Sequence, residues 1–165
     1  MGFLGVGSVA KYHAEVLQAL GHVISAGCGQ SADSPRWHDF MSVAPLAHFE
    51  ADGHSMLEDP EIDAVVACLP WNVTETWLPD LLSTPKPVLL EKPLALSSRV
   101  LSQAVCQHKN TLQNKYVGFN RRFYRTVQTL KDRVNQGGVT SVEVTISETV
   151  EALAKTYGEE IVEHI

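Results

Sequence analysis

The sequence predicts an α/β chain: a doubly wound parallel sheet over residues 1–119, followed over residues 120–165 by the beginning of a second α/β domain with an open sheet. Three observations carry this reading. A small-residue stretch, Gly5-Val6-Gly7-Ser8-Val9-Ala10, joins a short apolar run to a helical pattern. Apolar runs and helix-period segments then alternate through short links as far as Phe119, the pattern of a sheet covered by helices on both faces. Past Gly118, Val142, Val144 and Ile146 alternate with Glu143, Thr145 and Ser147, which suits a strand with one dry and one wet face.

Met1 to Leu4 read as the first strand. It is short for a central strand, so further residues are expected ahead of Met1. In the helix that follows, Val9, His13, Val16 and Leu20 share one face, with Ala10, Ala14 and Leu17 beside it. Gly21 reads as its stop. His22 to Gly27 read as a second strand, and Asp33-Ser34-Pro35 as a capped helix start running to about Ala44. A third strand over Leu46 to Glu50 and a short helix over Asp52 to Asp59 come next. Ile62 to Leu69 read as the fourth strand, and Ala64 to Leu69 within it are continuously apolar, as in a parallel strand covered on both sides. Thr74 to Leu82 follow as a helix that Pro79 bends or restarts. Pro87 to Leu90 make the fifth strand, and Ser97 or Ser98 caps a helix presenting Val100, Leu101, Ala104, Val105 and His108. Tyr116 to Phe119 close the series. Phe123, Val127, Leu130 and Val134 then mark a helix ended by Gly137-Gly138. Thr149 to Ile165 fit a helix that Gly158 interrupts.

Composition narrows the function. Of 165 residues, 44% are hydrophobic and 19% charged, so a packed core is expected. The net charge is −6 with no Lys/Arg-rich run, which argues against a nucleic-acid surface. No apolar run has the length of a membrane span. Cys28, Cys68 and Cys106 read as reduced, buried small hydrophobes, fitting a cytoplasmic protein. The seven histidines are scattered and most read as surface or capping residues, and no metal-ligand spacing occurs.

The glycine stretch has the strand–turn–helix context of a dinucleotide fingerprint. Gly5 would allow the tight turn, and Gly7 the close approach of a pyrophosphate. Ala10 would let the helix pack close to the strand, while Ser8 and Val9 open the helix whose N–H groups would hold the phosphates. An ordinary turn between strand and helix is the alternative. Three polar groups fall beyond the carboxyl ends of later strands, where open α/β sheets bind ligands: Trp71-Asn72, Glu91-Lys92-Pro93 and Asn120-Arg121-Arg122. Lys92 could hydrogen-bond a substrate hydroxyl and stabilise negative charge on that oxygen as a hydride leaves. A surface ion pair between Lys92 and Glu91 is the competing reading.

The segments GVGSVA, EKPLALSS and VGFNRRFY, in this order and at these intervals, resemble the Gfo/Idh/MocA family of NAD(P)-dependent oxidoreductases. The resemblance runs from about Gly2 to Glu148. It implies a Rossmann domain and then a C-terminal α/β domain whose open sheet forms the substrate site and often the homo-oligomer interface. It also implies hydride transfer between a nicotinamide cofactor and a hydroxyl carbon of a sugar or polyol. Lys92 matches the catalytic lysine and also faces substrate; Asn120 and Arg121 lie where the chain enters the substrate domain. Leu69, Pro70, Asn72, Glu91 and Lys92 complete the expected cofactor contacts.

The chain departs from the family in three places. After the second strand it reads Cys28-Gly29-Gln30-Ser31, without the acid that holds a ribose 2′-hydroxyl. Ser31 with Arg36 can instead accept a 2′-phosphate, so NAD and NADP both remain open. The family's T-P-N-x-x-H is replaced by Leu69-Pro70-Trp71-Asn72-Val73-Thr74. The aspartate and histidine of the family's second domain are expected beyond Ile165. The alternative function is a non-catalytic dinucleotide-binding protein acting as a sensor or subunit.

Overall fold

The structure is a computed structural model and describes residues 1–145. The chain divides into two compact units, Met1–Phe119 and Asn120–Ile165.

The first unit alternates strand and helix throughout. Its strands are β1 (Gly2–Leu4), β2 (Ala26–Cys28), β3 (His48–Glu50), β4 (Val65–Ala67), β5 (Val88–Leu90) and β6 (Lys115–Val117). Its helices are α1 (Ser8–Ala19), α2 (Pro35–Met41), α3 (Gly53–Glu58), α4 (Trp71–Ser83) and α5 (Ser98–Gln107). All strands are parallel and lie in the order β3-β2-β1-β4-β5-β6. This is the doubly wound order that binds dinucleotides where the strand order reverses, here between β1 and β4.

Side chains along each strand point alternately to the two faces, and two cores result. Phe3, Val66, Ala10, Ala14, Trp37 and Phe40 pack on one side; Leu4, Val65, Ala67, Leu78, Leu81 and Leu90 pack on the other. Burying each of the larger side chains contributes about 1.5–3 kcal/mol.

Several expectations are corrected. The strands are shorter than predicted: every ladder, from β1 with β2 and β4 out to the β2–β3, β4–β5 and β5–β6 pairs, is three residues long. His22 to Ser25 therefore lie outside β2, although Ile24 is buried. The face of α1 that meets the sheet carries Ala10 and Ala14, while Val9, Val16 and Leu20 are exposed; close approach to the sheet selects the small residues. The chain leaves α1 through Gly21, with the Gly21 N–H donating to Gln18 and the His22 N–H to Leu17. Of the two capping residues expected for α2, Ser34 is the one that caps it, accepting from the Trp37 N–H. Helix α4 begins three residues earlier than predicted and runs through Pro79 without a break. Cys28 and Cys68 are half-buried, and Cys106 is exposed on α5.

In the second unit, a 3₁₀ turn over Asn120–Phe123 precedes α6 (Arg125–Asn135). Gly137 and Gly138 follow with positive φ. The predicted strand from Val142 has no strand pairing over residues 141–145, for want of a partner strand among the described residues. Ile146, Ser147 and the expected helix beyond Thr149 lie outside the described residues. Among the described residues no helix is long and apolar enough to cross a membrane.

Candidate functional site

The crevice beyond β1 and β4 is built first by the glycine turn. Gly5 has φ +87°, and a Cβ there would stand 2.3 Å from the carbonyl oxygen of Cys68. The Gly5 N–H donates to Cys28 at 2.9 Å and the Cys68 N–H to Leu4 at 2.7 Å, so the turn is pinned between the ends of β2 and β4. Glycine at position 5 is therefore demanded by the fold itself. Gly7 differs. Its backbone is extended (φ −78°, ψ −173°), open to any residue, and a Cβ there would meet nothing within 4 Å. It precedes a twelve-residue helix whose start carries no side-chain cap. Ser8 and Val9 are exposed there, and Ala10 is buried beneath. The first-turn N–H groups, with the positive end of the helix dipole, thus face open space. That arrangement fits a dinucleotide pyrophosphate.

Beyond β4, Leu69 packs against the core, Pro70 is exposed, and Asn72 is exposed in the first turn of α4. Thr74, at the place of the family histidine, is buried; its hydroxyl lies within hydrogen-bond distance of both Leu69 and Pro70 carbonyls. Beyond β2, the Ser31 hydroxyl accepts from the Asp33 N–H at 3.1 Å, and Arg36 is exposed near the start of α2. The carboxylates near Cys28 come from the neighbouring strand and its sequel: after burial, the charges of Glu50 and Asp52 push the Cys28 thiol up.

Beyond β5, the carboxylate of Glu91 is doubly held. Its Oε1 lies 2.8 Å from Nε2 of His13, and its Oε2 accepts from the Lys92 N–H at 3.3 Å. His13 and Glu91 side chains are 28% and 19% exposed, so water competes little for this contact. The Lys92 ammonium makes no ion pair among the described residues. The predicted Lys92–Glu91 surface pair is thus replaced by His13–Glu91. Lys92 itself is exposed and is joined to Pro93 by a cis peptide bond. Farther along the loop, the Leu96 N–H donates to Glu75 of α4 at 2.9 Å. The Cys68 thiol, pushed up to about 12 by burial and then by the charge of Glu91, stays protonated beside this group. Asn120 and Arg121 lie exposed in the 3₁₀ turn of the second unit.

Residues 1–119 match the oxidoreductase family with an NAD-binding Rossmann fold known as Gfo/Idh/MocA. The chain belongs to this family. It is 27% identical over 139 residues to a myo-inositol 2-dehydrogenase of Thermotoga maritima, covering 84% of this chain and 41% of that protein. A scyllo-inositol 2-dehydrogenase (NAD(+)) of Bacillus subtilis is 28% identical, with 82% and 40% covered. Among solved structures, myo-inositol dehydrogenase from Lactobacillus casei, in complex with NAD(H) and myo-inositol, superposes with a TM-score of 0.74 at 25% identity. That match covers 84% of this chain and 41% of the other. The chain thus spans about two fifths of the length of these relatives.

Within the Gfo/Idh/MocA framework, sequence reasoning missed two residues that hold the Lys92 loop, His13 and Glu75. His13 stands 78 positions from its partner, and nothing local marks the contact. A usable signal was its register on α1: it falls one position before Ala14, on the flank of the sheet-facing side. A concavity of ≈ 480 Å³ at the opposite, amino end of the sheet, lined by residues such as Asp80 and Lys86, includes none of these site residues.

Proposed function

We propose that residues 1–119 bind a nicotinamide dinucleotide across the carboxyl edge of the sheet, and that Lys92 serves hydride transfer at a hydroxyl carbon of a sugar or polyol. Gly7 is the observation that carries this. Its conformation does not require glycine and its surroundings leave a Cβ free space; what glycine provides is access to the helix N–H groups. Gly5, Gly7, Ser8, Val9 and Ala10 would hold the pyrophosphate, with Leu69, Pro70 and Asn72 toward the nicotinamide side. Ser31 and Arg36 would receive a 2′-phosphate, extending binding from NAD to NADP. A bound nicotinamide supplies the hydride acceptor or donor. Lys92 donates a hydrogen bond to the substrate oxygen and stabilises the charge that develops on it.

The inositol dehydrogenases among the relatives favour a cyclic polyol as substrate. Asn120 and Arg121 would contact it, in a substrate domain beginning at residue 120 whose sheet also forms a homo-oligomer. A cytoplasmic location completes this reading. Thr74 favours a second one, dinucleotide binding without catalysis, because its buried hydroxyl is taken up by backbone carbonyls where the family has a histidine.

Fluorescence titration with NADH and NADPH tests the nucleotide site. The wild-type chain is expected to bind both, NADPH at least as tightly. Gly7→Val should weaken both by more than about tenfold, a loss above 1.4 kcal/mol, with the unfolding midpoint unchanged. Equal affinity in wild type and Gly7→Val would sink the assignment. In turnover of a polyol panel by the whole protein, Lys92→Ala should lower kcat by roughly a hundredfold or more with NADH affinity retained. Turnover that survives this change removes Lys92 from the chemistry; nucleotide binding with no turnover in the wild type establishes the second reading.

A further inference from the structure

We infer that His13, Glu91 and Gly118 form a brace that holds the Glu91 carboxylate off the Lys92 ammonium and ties the Lys92 loop to the helix of the glycine turn. The functional weight of this brace rests on the role proposed for Lys92; its existence does not. His13 belongs to α1, Glu91 follows β5, and Gly118 follows β6, so three separate elements converge on one carboxylate.

Each side of that carboxylate is accounted for. His13 Nε2 stands 2.8 Å from Oε1, and the Lys92 main-chain N–H donates to Oε2 at 3.3 Å. At Gly118 a Cβ would stand 2.6 Å from Oε1, 3.0 Å from Cδ and 3.2 Å from Oε2. Gly118 does not use a positive φ, so what glycine provides here is room for the carboxylate. Its own N–H donates to Leu90 at 2.9 Å and fixes it at that distance. The thiol of Cys68, the other titratable group beside Glu91, is protonated and brings no charge.

The consequence is chemical. Glu91 and Lys92 are adjacent in sequence, and a free Glu91 carboxylate would be the nearest anion to the Lys92 ammonium. An ion pair between them would hold the ammonium's proton and orient its hydrogen bonds toward Glu91. With the carboxylate turned toward His13, the Lys92 donors stay available to a substrate oxygen. His13 and Glu91 are thus positioning residues for Lys92. Because His13 lies one turn beyond the start of α1, the same contact sets the spacing between the helix N-terminus and Lys92.

Trace acetylation reads this directly in the 165-residue chain without nucleotide. Acetic anhydride labels each lysine in proportion to its free-amine reactivity, and mass spectrometry measures Lys92 against exposed Lys109 in the same sample. In His13→Leu and in Gly118→Ala the displaced carboxylate should pair with Lys92 and slow its labelling by about two- to fivefold, the range of an exposed ion pair. His13→Gln, which keeps an N–H donor, should restore most of the wild-type rate. Glu91→Gln should not slow labelling, since no anion remains to pair. Gly118→Ala displaces only the end of a flexible side chain, so it decides the matter if His13→Leu fails to fold. Unchanged Lys92 labelling in Gly118→Ala, with the thermal unfolding curve intact, overturns the brace. NADH titration of the same samples stands apart: loss of nucleotide binding in the wild type would sink the proposed function while leaving the labelling result to judge the brace.

Discussion

Residues 1–119 and residues 120–145 carry similar sequence signals with opposite outcomes. In the first unit, α1 is packed on the sheet through Ala10 and Ala14 while its larger apolar side chains, Val9, Val16 and Leu20, face outward. In the second, α6 repeats Val127, Leu130 and Val134 at helical spacing, yet no residue from Asn120 to Thr145 is buried. Periodicity states which face a helix can cover. It does not state that a partner is supplied, nor that the largest residues form the contact. Where a helix must lie close to a sheet, Cβ-sized side chains win over branched ones, because interaxial distance and packing density are fixed together.

The largest expected effect that sharpens this contrast is at the turn that starts the packed unit. Gly5→Ala forces a non-glycine residue into φ +87° and its Cβ to 2.3 Å from a backbone oxygen. Left-handed strain and overpacking together should cost about 4 kcal/mol, measured by urea unfolding. A loss below 1 kcal/mol would show that the β1–β4 junction yields easily. It would also remove the structural distinction between Gly5, whose conformation the fold requires, and Gly7, whose conformation any residue can adopt.

Much of this was legible beforehand because the deciding signals are local. The apolar runs before Gly5 and around Val65–Ala67, and the turn residues between elements, report strand, turn and helix within a few positions. The glycine turn and Lys92 are placed in the sequence in the same way, and both lie beyond strand ends. What stayed hidden depends on distant pairing. The three-residue strand lengths follow from register between neighbouring strands. The exposure of Cys106 follows from which side of α5 meets the sheet, where only Ala104 is buried. The Glu91–His13 contact joins residues 78 apart, and adjacency in sequence made Lys92 look like the natural partner. The segment at Val142 has the alternation of a strand, but a strand is an agreement between two segments, and residues 141–145 pair with no strand among the described residues.

The smallest expected effect is the one that can break the comparison. Leu81 of α4 is fully buried and Leu130 of α6 is 38% exposed, although both occupy apolar positions of helices. Leu81→Ala removes core contacts and leaves a cavity, at a cost of about 3 kcal/mol. Leu130→Ala removes a side chain that water already reaches and substitutes a better helix former, so its effect should stay within about 0.5 kcal/mol. Urea unfolding of both variants, at two protein concentrations tenfold apart, separates the cases. If Leu130→Ala matches Leu81→Ala at the higher concentration only, the α6 face is covered by a second copy in solution. If it matches at both, a face this exposed still contributes to folding through the chain itself, and fractional exposure ceases to distinguish the two units. Near-zero change at both concentrations leaves α6 as a helix whose apolar stripe is available to a partner and contributes nothing to the stability of residues 1–119.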